Sequence, residues 1–174
     1  MGTKFTYALI LTIVGAAFQL LLYFTGFQTE KLATGQYLQW FGFVIMFVVL
    51  WLGITAVRDE KPELGMSYGR AVGTGVLISL FSGLMSSVYS FVHFKFINTN
   101  FADYQLAIIR EQWAAAGMSD AQMEQAEGFT RMMMGPVAQA IMTPIMVVII
   151  GLLISLIIAA FVKRPATGEV PPPM

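Results

Sequence analysis

Four long apolar runs, separated by polar stretches, dominate the chain. They cover about residues 5–27, 37–57, 69–97 and 137–162, and none carries a charge at its centre. A helix of about 20 residues, rising 1.5 Å per residue, covers the roughly 30 Å of a bilayer's hydrocarbon core. The pattern therefore predicts an all-α polytopic membrane protein with four transmembrane helices. The first run follows Lys4 as a signal peptide would. Its apolar stretch is too long for that, and no small-x-small cleavage site follows, so it reads as an uncleaved helix. Aromatic residues fall where helix ends meet headgroups: Tyr23, Phe24 and Phe27 after the first span, Tyr37 and Trp40 at the second, then Trp51 and Tyr68.

Residues 98–136 are too many for a structureless connection. Phe101, Tyr104, Ile108 and Ile109 recur at helical spacing, and Gly117 is a helix stop. Ser119 and Gln122 form a capping-box pattern that opens a second helix, in which Glu127 and Arg131 sit one turn apart. The segment reads as an amphipathic helical hairpin, its first arm continuous with span three. Gly135-Pro136 then restarts the chain. The Pro-rich tail, residues 165–174, reads as disordered beyond a transmembrane domain of residues 1–164.

Span three carries the most specific pattern. Gly75, Ser79, Gly83 and Ser87 recur every four residues, as do Ser82, Ser86 and Ser90. At about 100° per residue these positions fall within roughly 140° of the helix. Gly151 and Ser155 repeat the spacing on span four. Small residues let helix backbones approach closely in lipid, so these nine positions are the candidate helix-packing face. Two other readings are a serine-lined polar cavity or pore and a contact between copies of the chain. Pro144 interrupts span four and frees a carbonyl one turn earlier.

Composition agrees with lipid as the solvent: 57% of residues are hydrophobic and 11% charged, against roughly 25% charged in soluble domains. Net charge is zero, with no basic field for nucleic acid. Lys and Arg set orientation through the short connections. One side holds Lys4, Arg58, Lys61, Arg70, Lys163 and Arg164; the other holds Lys31, Lys95, Arg110 and Arg131, diluted in a connection with five acids. This places both termini in the cytoplasm and the hairpin outside it.

Chemistry is sparse. There is no cysteine, and His93 is the only histidine, so neither a two-histidine metal site nor a catalytic triad can form within one chain. His93 reads as a structural residue at the interface. Met132, Met133 and Met134 are consecutive and point around a helix instead of converging on a soft metal. Gln19, the most polar residue deep in a span, reads as a partner in a cross-helix hydrogen bond. The mixed-charge stretch Arg58-Asp59-Glu60-Lys61-Pro62-Glu63 reads as a solvated turn. No catalytic residue, cofactor or metal site is expected.

Val57-Arg58-Asp59 after span two, then Met66-Ser67-Tyr68-Gly69-Arg70-Ala71 leading into the small-residue span, resembles the DUF4199 family (domain of unknown function 4199), best represented in Bacteroidetes. The resemblance covers about residues 5–164 and implies a four-span inner-membrane protein with no assigned activity. It brings no site residues. The sequence thus points to a non-enzymatic structural or accessory protein of the bacterial inner membrane, acting through helix packing, self-association or other membrane proteins. A small-solute channel or transporter with a polar face on span three is the alternative.

Overall fold

The computed structural model describes residues 2–165. Among these residues seven α-helices occur in order: α1 (Thr3–Phe24), α2 (Leu32–Leu38), α3 (Trp40–Asp59), α4 (Tyr68–Val92), α5 (Phe101–Ala115), α6 (Asp120–Met134) and α7 (Pro136–Val162). A short 3-10 turn, Pro62–Leu64, lies between α3 and α4, and a π-turn, His93–Ile97, ends α4. Four of the described stretches are long and apolar enough to cross a membrane: Thr3–Phe24, Leu32–Asp59, Tyr68–Ile97 and Pro136–Val162. Residues 166–174, most of the Pro-rich tail, lie outside the described residues.

The second stretch begins five residues earlier than the apolar run suggests, because α2 and α3 join with only Gln39 between them. The third departs more. The sequence pattern makes the first arm of the hairpin a continuation of span three, yet the chain breaks at Asn98 before α5. The cause is the π-turn: the Asn98 amide donates to the His93 carbonyl at 2.7 Å, a bond five residues back. Such a turn widens the helix by one residue and re-aims the chain beyond it.

Helices α1, α3, α4 and α7 pack around an apolar core filled by Leu50, Ile54, Ile78 and Ile158 together with Ala8 and Ala159; all six are fully buried. Large apolar side chains such as Ile13, Leu84, Val88 and Phe161 point away from the bundle and stay exposed. An apolar exterior over a close-packed interior is what lipid permits and water does not. At the end of the bundle near residue 66, Met66 and Arg164 pair their backbones through two bonds of 2.9 Å. That bridge ties the connection between α3 and α4 to the end of α7.

At the opposite end α5 and α6 lie against each other. Ser119 accepts from the Gln122 amide and Gln122 reaches back to the Ser119 amide, completing the capping box. Gly117, with φ of +80°, makes the turn that a β-carbon would strain. Arg131 of α6 pairs with Asp103 of α5 and with Glu127 one turn earlier, and Arg110 of α5 also reaches Glu127. The two carboxylates beside Arg131 push the pKa of its guanidinium up. All these ion pairs lie in the exposed hairpin, where solvent screening leaves them little net contribution.

Candidate functional site

The small residues of α4 divide among three neighbours. Gly75, Ser79, Gly83 and Ser87 face α7, and the antiparallel register seats each against a partner. A β-carbon on Gly75 would overlap Ser155 Oγ and lie 2.8 Å from its Cβ; one on Gly151 would overlap Ser79 Oγ and lie 2.5 Å from its Cβ. Each serine therefore fills the space opened by the other helix's glycine. Both hydroxyls turn back onto their own helices, Ser79 to the Gly75 carbonyl at 2.9 Å and Ser155 to that of Gly151. The serines act here as small knobs and leave no polar group to line a path. Further along, Gly83 lets Pro144 approach, with 3.0 Å between an added β-carbon and the Pro144 Cα. Ser87 Oγ donates to the Ala140 carbonyl at 2.7 Å. That carbonyl is the one left without an amide donor by Pro144, four residues later.

The second ladder is divided between α1, the cavity and the first turns of α7. Ser82 meets Thr12 of α1 at 3.1 Å, hydroxyl to hydroxyl. Ser90 receives a bond of 3.2 Å from Thr143. Ser86 faces neither helix and lines a cavity of about 350 Å³ between α1, α3, α4 and α7. Thr74 Oγ1, on the same helix, is buried with no hydrogen-bond partner among the described residues, and we have no physical account of it.

The cavity wall mixes polar and apolar groups and carries no charge. Gln19, Gln28, Gln39 and Gln139 reach it, together with the hydroxyls of Ser86, Tyr89, Ser90 and Thr143. Phe18, Phe94 and Phe101 supply its apolar part, and no Asp, Glu, Lys or Arg among the described residues contributes. Gln19 does not make the cross-helix bond that its position suggests; its amide has no partner among the described residues and turns into this space. A smaller extension of about 150 Å³ continues inward between Leu11, Ile45, Met46 and Val147, beyond Ser86. It stops at the fully buried core around Leu50, Ile54 and Ile78.

One wall is fixed by a buried network that the sequence did not disclose. His93, near the end of span three, is fully buried. Its Nε2 lies 2.9 Å from Gln28 Oε1 and its Nδ1 3.1 Å from the Tyr89 hydroxyl, which is also 3.1 Å from the Ala16 carbonyl. With its proton on Nε2 the ring donates to Gln28 Oε1, and Nδ1 accepts from the Tyr89 hydroxyl, which it shares with the Ala16 carbonyl. The Asn98 side chain donates to the Gln28 carbonyl at 3.2 Å, closing the network onto the π-turn. Gln28 is held by a tight loop: Gly26 has φ of +83°, and Gly35 of α2 admits the Phe27 carbonyl so closely that a β-carbon would overlap its oxygen.

The family described as a protein of unknown function (DUF4199) matches residues 6–164. The chain belongs to the DUF4199 family. Compared with curated proteins and with solved structures, it has no match. The short motif that carried the resemblance acquires a structural role here. Val57 is buried and Arg58 pairs with Asp59 at 2.7 Å. Met66 is buried in the backbone bridge, Ser67 caps α4 by accepting from the Arg70 amide, and Arg70 reaches the Gly65 carbonyl at 3.2 Å. Tyr68 donates across to the Leu156 carbonyl of α7 at 3.1 Å. The DUF4199 motif thus fastens α3, α4 and α7 together at the end of the bundle opposite the cavity.

Proposed function

We propose that this DUF4199 protein is a non-catalytic, non-conducting accessory component of a bacterial inner membrane, acting on other membrane proteins or on further copies of itself. The observation that carries this reading is the blind end of the cavity. A permeant solute would have to pass Leu50, Ile54, Ile78 and Ile158, none of which is exposed at all. The glycine–serine contact between α4 and α7 closes the same half of the bundle. Among the described residues the cavity offers no carboxylate or amine for acid–base work, and the one histidine is already engaged by Gln28 and Tyr89. Both termini lie in the cytoplasm and the α5–α6 hairpin outside it in this reading. Its support is Lys4, Arg58, Lys61, Arg70, Lys163 and Arg164 on one side of the bundle.

The small-solute channel is the second reading, favoured by the polar cavity itself. Vesicles containing the full chain separate the two under gradients of glycerol, urea and glucose. The expected swelling rate equals that of protein-free vesicles; faster protein-dependent swelling, lost in Ser86→Leu, would establish the channel instead. Orientation is checked by fusing a reporter active only in the cytoplasm to the C-terminus or into the connection at Gly117. The first fusion is expected to be active and the second silent, and the reverse outcome would invert the topology.

A further inference from the structure

The cavity has features that a packing role leaves unused. Its wall repels both extremes of ligand polarity. A charged guest would shed its hydration and meet no counter-charge, whereas a wholly apolar one would leave the wall amides unsatisfied. The side-chain amides of Gln19 and Gln39 have no hydrogen-bond partner among the described residues, and each offers an acceptor oxygen beside two donor hydrogens. Adjacent hydroxyl groups, each donor and acceptor at once, complement such planar amides. The C–H faces of the same molecule suit Phe18, Phe94 and Phe101. A volume of about 350 Å³ lies at the lower end of the 300–1,000 Å³ typical of small-molecule sites. Gln39, at the rim, is exposed, giving the space an opening beside the start of α3.

We propose that this cavity binds a neutral polyhydroxyl group of the polyol or sugar class, with Gln19 as a hydrogen-bonding contact. The group can belong to a free solute or to the headgroup of a neutral glycolipid; the chemistry of recognition is the same. The site goes beyond the accessory reading and does not depend on it, since a bundle found to conduct could still hold a sugar here.

Because the chain has no cysteine, Ser86→Cys gives a single near-isosteric thiol on the cavity wall. The full chain in lipid nanodiscs is exposed to a small hydrophilic thiol reagent, with glucose or with a monoglucosyl diacylglycerol in the lipid. At about ten times the dissociation constant, mass action leaves about one site in eleven free, so labelling slows about tenfold. Protection by glucose identifies a solute site, and protection by the glucolipid alone identifies a headgroup site. Gln19→Leu is expected to return labelling to the unprotected rate. Val88→Cys, on the exposed outer face of α4, is expected to ignore both probes. The proposal is overturned if the thiol at position 86 labels freely but neither probe slows it, which would mean a cavity for water only. It is equally overturned if that thiol never labels, or if protection persists in Gln19→Leu.

Discussion

Gly75→Ala is expected to destabilise the bundle by about 3 kcal/mol, the upper end of common overpacking penalties. The added methyl would overlap Ser155 Oγ and sit 2.8 Å from Ser155 Cβ, so turning the hydroxyl aside does not relieve the clash. Either α7 moves off α4 or both helices bend, and the fully buried Ile78 and Ile158 beside the contact lose packing in both cases. Gly73 supplies the control. It is exposed with open space around it, so Gly73→Ala is expected to be neutral or to stabilise by up to about 1 kcal/mol through helix propensity. Ser155→Gly alone removes a hydroxyl bonded only to its own helix and costs about 1 kcal/mol, chiefly the penalty of a helical glycine. In that background Gly75→Ala is expected to cost only about 1 kcal/mol, the Ile54 Cδ1 contact at 3.1 Å remaining, a coupling of about 2 kcal/mol. Equilibrium unfolding of the four variants in mixed micelles, followed by helical circular dichroism, gives the cycle. Equal costs of Gly75→Ala with and without Ser155 would refute the knob-and-hole account.

This contact shows what is legible in the sequence and what is not. Repeats of small residues at four-residue spacing on two helices imply a close approach, because the helix puts them on one face and lipid rewards little else there. Which residue meets which depends on register, and register is set by the lengths of intervening segments and by features far from the contact. The same limit explains why the seven small residues of α4 look like a single face in the sequence. Three neighbours share it: α7 takes the first ladder and Ser90, α1 takes Ser82, and the cavity takes Ser86. An arc of roughly 140° is wider than one helix contact, so its division among partners is implicit in the geometry.

The cavity is harder to foresee. Its glutamines come from α1, the loop before α2, the start of α3 and the start of α7, and no periodicity links positions so far apart. A usable signal is Gln19 itself, an amide in an otherwise apolar span whose partner the sequence cannot name. The π-turn is hidden for a different reason. A single widened turn leaves no compositional mark, since nothing in His93-Phe94-Lys95-Phe96-Ile97 distinguishes it from the last turn of an ordinary helix. What stabilises it is tertiary: the ring of His93 must reach Gln28, which lies 65 residues earlier.

That dependence gives the second large effect. Gln28→Leu is expected to destabilise the protein by about 1–2 kcal/mol, because it removes the hydrogen-bond partner of a fully buried imidazole nitrogen. His93→Phe leaves the Gln28 amide unpaired in the same way, although Tyr89 keeps the Ala16 carbonyl. With both partners apolar the penalty falls on neither, so Gln28→Leu combined with His93→Phe is expected to cost less than the two changes summed. Additivity within about 0.3–0.5 kcal/mol would show that the groups do not act as a unit. Hydrogen exchange locates the damage. The Asn98 amide, which donates to the His93 carbonyl five residues back, is expected to exchange faster in Gln28→Leu, whereas amides around Ile54 and Ile158 in the closed half keep their protection. If instead the Asn98 amide is undisturbed, the π-turn stands without the network, and the cavity wall must owe its shape to the Phe94–Phe101 ring contact, centroids 4.6 Å apart, that flanks it.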